Sequence, residues 1–348
     1  MRIAAVLCLR NEGAYLLDWL AHHLTCGITH VVALSNDCDD GTDAMLDRLA
    51  ELGHVTHIRN DGPYDKGGIQ FTGLKLADKA AAVKDADWLL PLDIDEFVNV
   101  HVGDRTLPAL IAALPEAGAI TLTWRLFGNA GVVRYQDTPV TQQFTHAAPV
   151  VMHWPWRSAM FKTLYRNDRT YRNLGVHRPR NPHPDRVAAA RWFDGEGREL
   201  DDQFRTRRIF SPYGRSNYGL AQLNHYPLGA MESFVLKAAR GRAVHSDHRL
   251  GLDYWTERNF NTDEDRSILA LSDRVAALRA ELAADPELAR LRDAAVAWRK
   301  AEFDRLLAEE PYRALFGRLL MTPPSRPLTQ GEAAFLIGHA TRARDAAS

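Results

Sequence analysis

The sequence predicts an α/β protein: a mostly parallel sheet with helices on both faces, followed by a C-terminal helical segment. Three observations predict it. Short, nearly continuous apolar runs alternate with amphipathic stretches through the first hundred residues, the apolar runs end in polar loops, and from Ser233 onward the spacing is helical. Ile3 to Leu9 reads as a strand buried on both faces. Ala14 to Cys26 reads as a helix, with Leu16, Leu17, Leu20, His23 and Leu24 at three- and four-residue steps and Gly27 as its stop. His30 to Ser35 is a second strand, Asp43 to Leu52 a second helix closed by Gly53, and His54 to Ile58 a third strand. A Gly-rich loop leads to a helix from Phe71 to Val83, and Trp88 to Leu92 is a fourth strand stopping at Asp93.

The segment from Leu126 to Tyr226 has no clear period and is rich in Pro, Arg, His and aromatic residues, the profile of functional loops in a compact protein. Ile268, Leu271, Val275, Leu278 and Leu282 then step as a helix. Asp285-Pro286 is a stop and restart, with Asp as N-cap and Pro at the first helical position, and Leu288, Leu291, Ala295 and Trp298 resume the stepping. This predicts an antiparallel helical pair, packed on the first domain or on a second copy as a homodimer. The tail beyond Met321 is partly linker-like.

Composition fits a globular chain. At ~150 residues per domain the length of 348 predicts about two domains, and 46 % hydrophobic with 25 % charged residues supports a sizeable core. Lys and Arg total 43 against 44 Asp and Glu, a net charge of −1 that gives no electrostatic case for nucleic acid as the main partner. The three cysteines, Cys8, Cys26 and Cys38, make no disulfide framework or zinc pattern and fit a reducing compartment. Without a signal-peptide pattern or eighteen consecutive apolar residues, the expectation is a soluble cytoplasmic enzyme, with peripheral membrane contact left open.

Ligands of such sheets bind beyond the carboxyl ends of the strands. Those ends carry Arg10-Asn11-Glu12, Asn36 to Gly41, Asp61-Gly62 and Asp93-Ile94-Asp95-Glu96. Asp93 and Asp95, at i and i+2 where a buried strand turns, can both reach one divalent cation, and oxygen ligands suit Mg²⁺ or Mn²⁺ bound to a substrate diphosphate. The plainer reading is an acidic strand-end turn. An EF-hand loop fails on position, because the fifth residue is Gly41 or Phe97. Asp-x-Asp also resembles the haloacid dehalogenase phosphatases, but their motif follows the first strand and carries Thr or Val where Phe97 stands. No G-x-G-x-x-G or Walker A loop is present, which disfavours dinucleotide redox chemistry and ATP hydrolysis.

Together these landmarks resemble family 2-type glycosyltransferases: Asn11-Glu12, Trp19 and His23, Asn36-Asp37-x-x-Asp40-Gly41-Thr42, Asp93-Ile94-Asp95-Glu96-Phe97, and Trp124 to Gly128. Their order matches a bacterial branch that reads N-E, N-D-x-x-D-G-T, D-x-D-E-F, F-G. Asn224-His225-Tyr226, Ser233-Phe234, Lys237 and Arg240-Gly241 match a weaker downstream signature. The resemblance implies a GT-A (Rossmann-like) fold and a sugar moved from a nucleotide-sugar donor, UDP-linked, to a saccharide or surface-polymer acceptor. It implies a transferase domain over 1–240, its nucleotide half about 1–128 and its acceptor half about 129–240, then helices over 241–322 and a tail over 323–348.

By position, Asp95 is the direct metal ligand, Asp93 binds ribose or metal, and Asn11, Glu12 and Asp37 line the nucleoside pocket. Lys66, Lys75 or Lys79 face the phosphates, with a solvated lysine as the competing reading. His225 is the candidate histidine ligand and His177 the second choice.

The family's catalytic base has no clear match. Asp194, Glu196, Asp201 and Asp202 fall in loops; Asp265, in the Asp263-Glu264-Asp265 trio, and Glu96 are the candidates carried forward. Trp124, Phe127, Trp154, Trp156, Arg157, Tyr165, Arg172, Trp192 and Phe193 supply acceptor-site or core aromatics and cations. The competing functions are a metal-dependent phosphoryl hydrolase with Asp93 as nucleophile and a non-catalytic glycan-binding scaffold.

Overall fold

The computed structural model describes residues 1–64, 67–212, 214–241 and 250–347. Up to Leu92 the predicted strands and the first two helices appear within a residue or two. Strands β1 (Ile3–Leu9), β2 (His30–Ser35), β3 (Val55–Arg59) and β4 (Trp88–Leu92) are separated by helices α1 (Gly13–Thr25), α2 (Thr42–Glu51) and α3 (Gly68–Ala77). The helix expected to reach Val83 stops at Ala77, and a separate short turn of helix covers Ala81–Asp85.

After the turn at Asp93 come β5 (Glu96–Val100), α4 (Leu107–Ala113), β6 (Ala119–Leu126), β7 (Phe161–Arg166), β8 (Trp192–Phe193) and β9 (Ala221–His225). Among the described residues these form one nine-stranded sheet, ordered β3-β2-β1-β4-β7-β6-β9-β5 with β8 beside β6. Parallel pairings predominate: β1 with β2 and β4, β2 with β3, and β6 with β8 and β9. The pairs β4–β7, β6–β7 and β5–β9 are antiparallel. The architecture is therefore mixed α/β with a mostly parallel sheet.

Register gathers the predicted loops on one rim. Leu9 pairs with Ser35 and Leu7 with Leu92, so the loops after β1, β2 and β4 leave side by side. Two antiparallel steps through β7 return β6 to the direction of β4, and β9 runs parallel to β6. His225 thus ends β9 on that same rim, paired with Glu96 at the start of β5. The four steps from Leu92 to Glu96 span at most about 14 Å, so the edge strand β5 must curl back towards the end of β4.

Two apolar layers cover the two faces of the sheet. One carries Leu16, Leu17 and Trp19 of α1 with Met45 and Leu49 of α2; the other carries Leu74 and Ala77 of α3 with Phe161 and Trp192. Beyond β9 lie α5 (Met231–Arg240), α6 (Ser272–Ala283), α7 (Pro286–Leu307), α8 (Glu310–Met321) and α9 (Gln330–Ala347). The predicted restart is present: Asp285 Oδ1 accepts the Leu288 N–H at 2.9 Å and Pro286 opens α7. The helices pack on α1, α2 and α5 of the same chain, and a third core joins Met231, Phe234 and Leu236 to Phe303, Leu306 and Leu315. The tail read as linker-like carries α9. Among the described residues no helix is long and apolar enough to cross a membrane.

Candidate active site

A cleft of about 430 Å³ opens at the rim. Its floor is the turn Asp93-Ile94-Asp95. Trp19 of α1 fixes that turn from behind: its indole N–H lies 3.1 Å from the Asp93 carbonyl and 3.0 Å from the Glu96 carbonyl. His23 packs on Trp19 at 4.0 Å between ring centroids, and Phe97 sits edge-on against His22 at 5.3 Å. The W…HH and D-x-D-E-F landmarks are therefore one packing unit. Gly128 of the F-G landmark is a close approach, since a Cβ there would lie 2.3 Å from the Phe260 carbonyl oxygen.

The electrostatics divide into two layers. In the lower one, Glu96 is fully buried and its Oε2 accepts the Asp93 N–H at 2.9 Å while its Oε1 accepts the Trp124 indole N–H at 2.6 Å. Lys162 of β7, also buried, donates to Asp93 Oδ2 at 2.9 Å and lies 3.5 Å from Glu96. Burial alone would lower the Lys162 pKa, but the Asp93 and Glu96 charges hold the ammonium above its ordinary range. Burial pushes the Glu96 carboxyl well above its own range, against the pull of Lys162.

In the upper layer, Asp95 Oδ2 accepts from Lys237 of α5 at 2.7 Å and lies 3.6 Å from His225 Nε2. Partial burial would raise the Asp95 pKa, yet Lys237 and His225 hold the carboxyl well below the usual range. His225 packs at a tilt on Trp124, 4.2 Å between ring centroids, and among the described residues its buried Nδ1 has no hydrogen-bond partner. Burial lowers its pKa, so the neutral imidazole is favoured. At the mouth of the cleft, Arg240 pairs with Glu12 and donates to the Arg10 carbonyl at 2.5 Å.

No protein-family model matches the chain. Two curated relatives share sequence with it, and both are glycosyltransferases. One is a glycosyltransferase family 92 protein of Oryza sativa subsp. japonica, 24 % identical over 143 residues, which is 39 % of this chain and 23 % of the relative. The other, of the same family in Ricinus communis, is 24 % identical over 156 residues, 41 % of this chain and 26 % of the relative. The chain thus spans about a quarter of the length of these relatives. Among solved structures, residues 1–349 of S. aureus TarS in complex with UDP align over 86 % of this chain and 92 % of that one, at 13 % identity and a TM-score of 0.34. Glucosyl-3-phosphoglycerate synthase from Mycobacterium tuberculosis, with Mn²⁺, UDP and glucosyl-3-phosphoglycerate, aligns over 38 % and 46 % at 18 % identity and a TM-score of 0.26.

The expected residues divide by place. Asp93, Asp95, Glu12 and His225 line the cleft, and His177 lies beside them with its ring 5.6 Å from Trp124. Asn11 and Asp37 do not line it. Both take left-handed backbone angles, φ 53° and 45°, at the loop tips after β1 and β2. Asn11 exchanges hydrogen bonds with Asp39, and exposed Asp37 accepts from Tyr64 at 2.5 Å. Asn36, one residue earlier and buried, takes the lining position instead.

Lys79 is exposed beyond the C-terminal end of α3, whereas the N-terminal turn of that helix reaches the cleft through Gln70, 3.4 Å from Asp93 Oδ1. Neither Lys79 nor Lys75, on the same helix, lines the cleft, and Lys66 lies outside the described residues. Asp265 is absent from the cleft lining and is engaged by Gln222 at 2.8 Å, the Ser267 hydroxyl at 2.6 Å and Arg125 at 3.1 Å. Glu96 lies beneath the turn, with one oxygen on the Asp93 N–H and the other on the Trp124 indole N–H. Of the aromatic and basic group, Trp124 and Arg157 line the cleft, while Phe127, Tyr165, Trp192 and Phe193 are core.

Sequence reasoning gave no role to Lys162. A lone lysine in the otherwise buried strand Phe-Lys-Thr-Leu-Tyr was the available signal, since a buried ammonium demands a carboxylate partner. Lys237 and Arg240 were noted as landmarks without their ion-pair roles.

Proposed function

We propose that the chain is a metal-dependent glycosyltransferase that moves a sugar from a UDP-linked donor to a saccharide or surface-polymer acceptor. The observation that carries the reading is the Asp93-Ile94-Asp95 turn, held at the carboxyl end of β4 with Asp95 beside His225 in the lining of a cleft of substrate size. The two family 92 relatives support it.

The residues present fit a divalent ion. Asp95 Oδ2 and His225 Nε2, 3.6 Å apart, suit neighbouring ligands of one Mg²⁺ or Mn²⁺, and His225 is favoured in the neutral form that ligation needs. Among the described residues no cluster of three His, Cys, Asp or Glu forms there, so the remaining positions fall to the donor diphosphate and water. When bound, the ion stabilises charge on the departing nucleoside diphosphate.

The chain's own groups do the rest. Lys237, Arg240 and Arg258 bring positive charge to the cleft wall, where a diphosphate requires it. Asp93, neutralised by Lys162, orients the donor ribose, and Glu12, tethered by Arg240, closes the nucleoside end. The aromatic face of Trp124, fixed by its bond to Glu96, offers a stacking surface for the transferred sugar.

Isothermal titration of UDP with and without Mn²⁺, on wild type and Asp95→Asn, tests this together with release of UDP from UDP-sugars. The expected result is Mn²⁺-dependent binding that is lost in Asp95→Asn and UDP released in proportion to sugar transferred. Inorganic phosphate released instead, from substrates lacking a sugar nucleotide, would move the assignment to a hydrolase acting through Asp93.

A further inference from the structure

A second cavity, of about 230 Å³, lies behind the first, between α1, α5, α7 and α8. The two share a wall made of Arg10, Glu12, Asp95, Lys237 and Arg240. On its far side this cavity is lined by aromatic and aliphatic groups, Tyr15, Leu236, Trp298 and Tyr312 among them, with Asp18, Ser233, Arg299, Glu302 and Arg305 as polar groups.

Five cations and five carboxylates line it, but Asp18 is taken up by Arg279 outside the lining, so one cation of the lining is without an ion-pair partner. Glu12 pairs with Arg240, Asp18 with Arg279, Asp39 with Arg10, Asp95 with Lys237, and Glu302 with Arg305. Arg299 is left over. It is only 7 % exposed, its Nε is buried with no hydrogen-bond partner, and among the described residues no carboxylate lies within ion-pair distance of it. Two tyrosine rings hold it instead, Tyr15 at 4.7 Å and Tyr135 at 5.0 Å from the guanidinium carbon. A buried cation without an anion is costly, whereas one pre-oriented between aromatic rings and facing a cavity is poised to take a carboxylate or phosphate.

We propose that this cavity is a second ligand site, taking a compact organic anion whose carboxylate or phosphate is bound by Arg299 and whose body packs on the aromatic wall. The shared wall gives it a consequence that rests on the donor-cleft reading: an occupant touches the reverse side of the Asp95–Lys237 and Glu12–Arg240 pairs, so it alters nucleotide affinity at the first cleft. The reciprocal effect, nucleotide on anion, must have the same magnitude.

The test titrates the full-length protein with inorganic phosphate, benzoate and glucuronate separately, so that a bare anion, an apolar body and a saccharide body are told apart. Wild type, Arg299→Met and Asp93→Asn are compared. Saturable binding of at least one probe is expected in wild type and in Asp93→Asn, weakened tenfold or more in Arg299→Met. The Trp298 indole resonance, assigned through Trp298→Phe, should shift during the wild-type titration; that measurement stands even if Arg299→Met fails to fold.

Equal affinity in wild type and folded Arg299→Met, or an unmoved Trp298 resonance at saturation, overturns the site. UDP titrations of the same samples separate the two readings. Absent UDP binding with intact anion binding would fault only the donor cleft, whereas UDP affinity unchanged by a bound probe would overturn the coupling.

Discussion

At the residue scale the candidate site is an arrangement of paired charges in which each member constrains the next. Asp95 is kept ionised by Lys237 and His225, so it is ready to ligate at neutral pH. Asp95→Asn keeps the shape and a hydrogen bond to Lys237 but removes the charge; transfer should fall at least about 100-fold, the scale of losing a Lewis-acid contribution of several kcal/mol. Initial rates at saturating donor and Mn²⁺ check this.

Lys162 makes a different prediction. It is 1 % exposed and pairs with Asp93, itself a third exposed, so Lys162→Met leaves Asp93 without its cation and should cost about 1–3 kcal/mol in urea unfolding. Adding Asp93→Asn should recover part of the loss. A full-stability single variant would show that Asp93 does not depend on this lysine.

At the element scale, α1 fastens the Asp93–Asp95 turn through its packing face, where residue types that usually signal chemistry do structural work. His22 Nε2 bonds the Val98 carbonyl at 2.7 Å, and His23 lies under Trp19. Burial lowers the His22 pKa from 6.5 to about 4, against the smaller effect of the Val98 bond. Folded His22 therefore resists protonation that the unfolded chain accepts near 6.5, so its stability contribution is complete above that pH and is lost as pH falls towards 4. The gap corresponds to about 3 kcal/mol. Unfolding free energies measured from pH 7 to 4 should fall more steeply for wild type than for His22→Gln.

The α1 entrance makes a separate prediction. Asp40 accepts the Gly13 N–H at 2.9 Å and the Thr42 N–H at 2.9 Å, tying the starts of α1 and α2 together. Asp40→Ala should lose about 1–2 kcal/mol, the cost of a removed cap, and should weaken UDP binding by displacing Glu12. Equal UDP affinity in that variant would show that the loop after β1 does not hold the nucleoside.

How far these elements were legible follows from the range of the interactions that form them. The strands and helices up to Leu92 were readable because each shows its own period within a dozen residues, and the rim loops followed from strand order. The strand β7 and its Lys162 were not, because Phe161–Arg166 declares itself only by pairing with β4 and β6, and the partner of that lysine lies 69 residues away. His225 was readable as a residue type, but its place beside Asp95 depends on the β5–β9 register. The place of Asp265 against Gln222 and Arg125 was not legible, because an acidic trio before a helix looks the same whether it faces a substrate or those side chains.

At the scale of the whole molecule, the C-terminal helices are part of the structure that forms the site. Lys237 and Arg240, which hold Asp95 and Glu12, stand on α5, and the apolar face of α5 is buried against Phe303, Leu306, Leu315 and Leu319 of α7 and α8. A chain ended at Gly241 would expose Met231, Phe234 and Leu236 and free the helix that positions both cations. It should aggregate or lose cooperative unfolding, because several side chains each worth about 1.5–3 kcal/mol on burial lose their cover. A chain ended at Pro327 removes α9, where Ala333 is a buried contact, but keeps Ser325 bonded to Asn259 at 2.9 Å and to Thr256 at 2.5 Å. That chain should unfold cooperatively with a midpoint near that of the full chain and should bind UDP with Mn²⁺ equally well. Urea melts of the two truncations beside the full-length protein decide the matter. Cooperative folding of the chain ended at Gly241, with undiminished UDP binding, would show that α5 positions its cations without help and that the helices beyond it serve some purpose other than building the cleft.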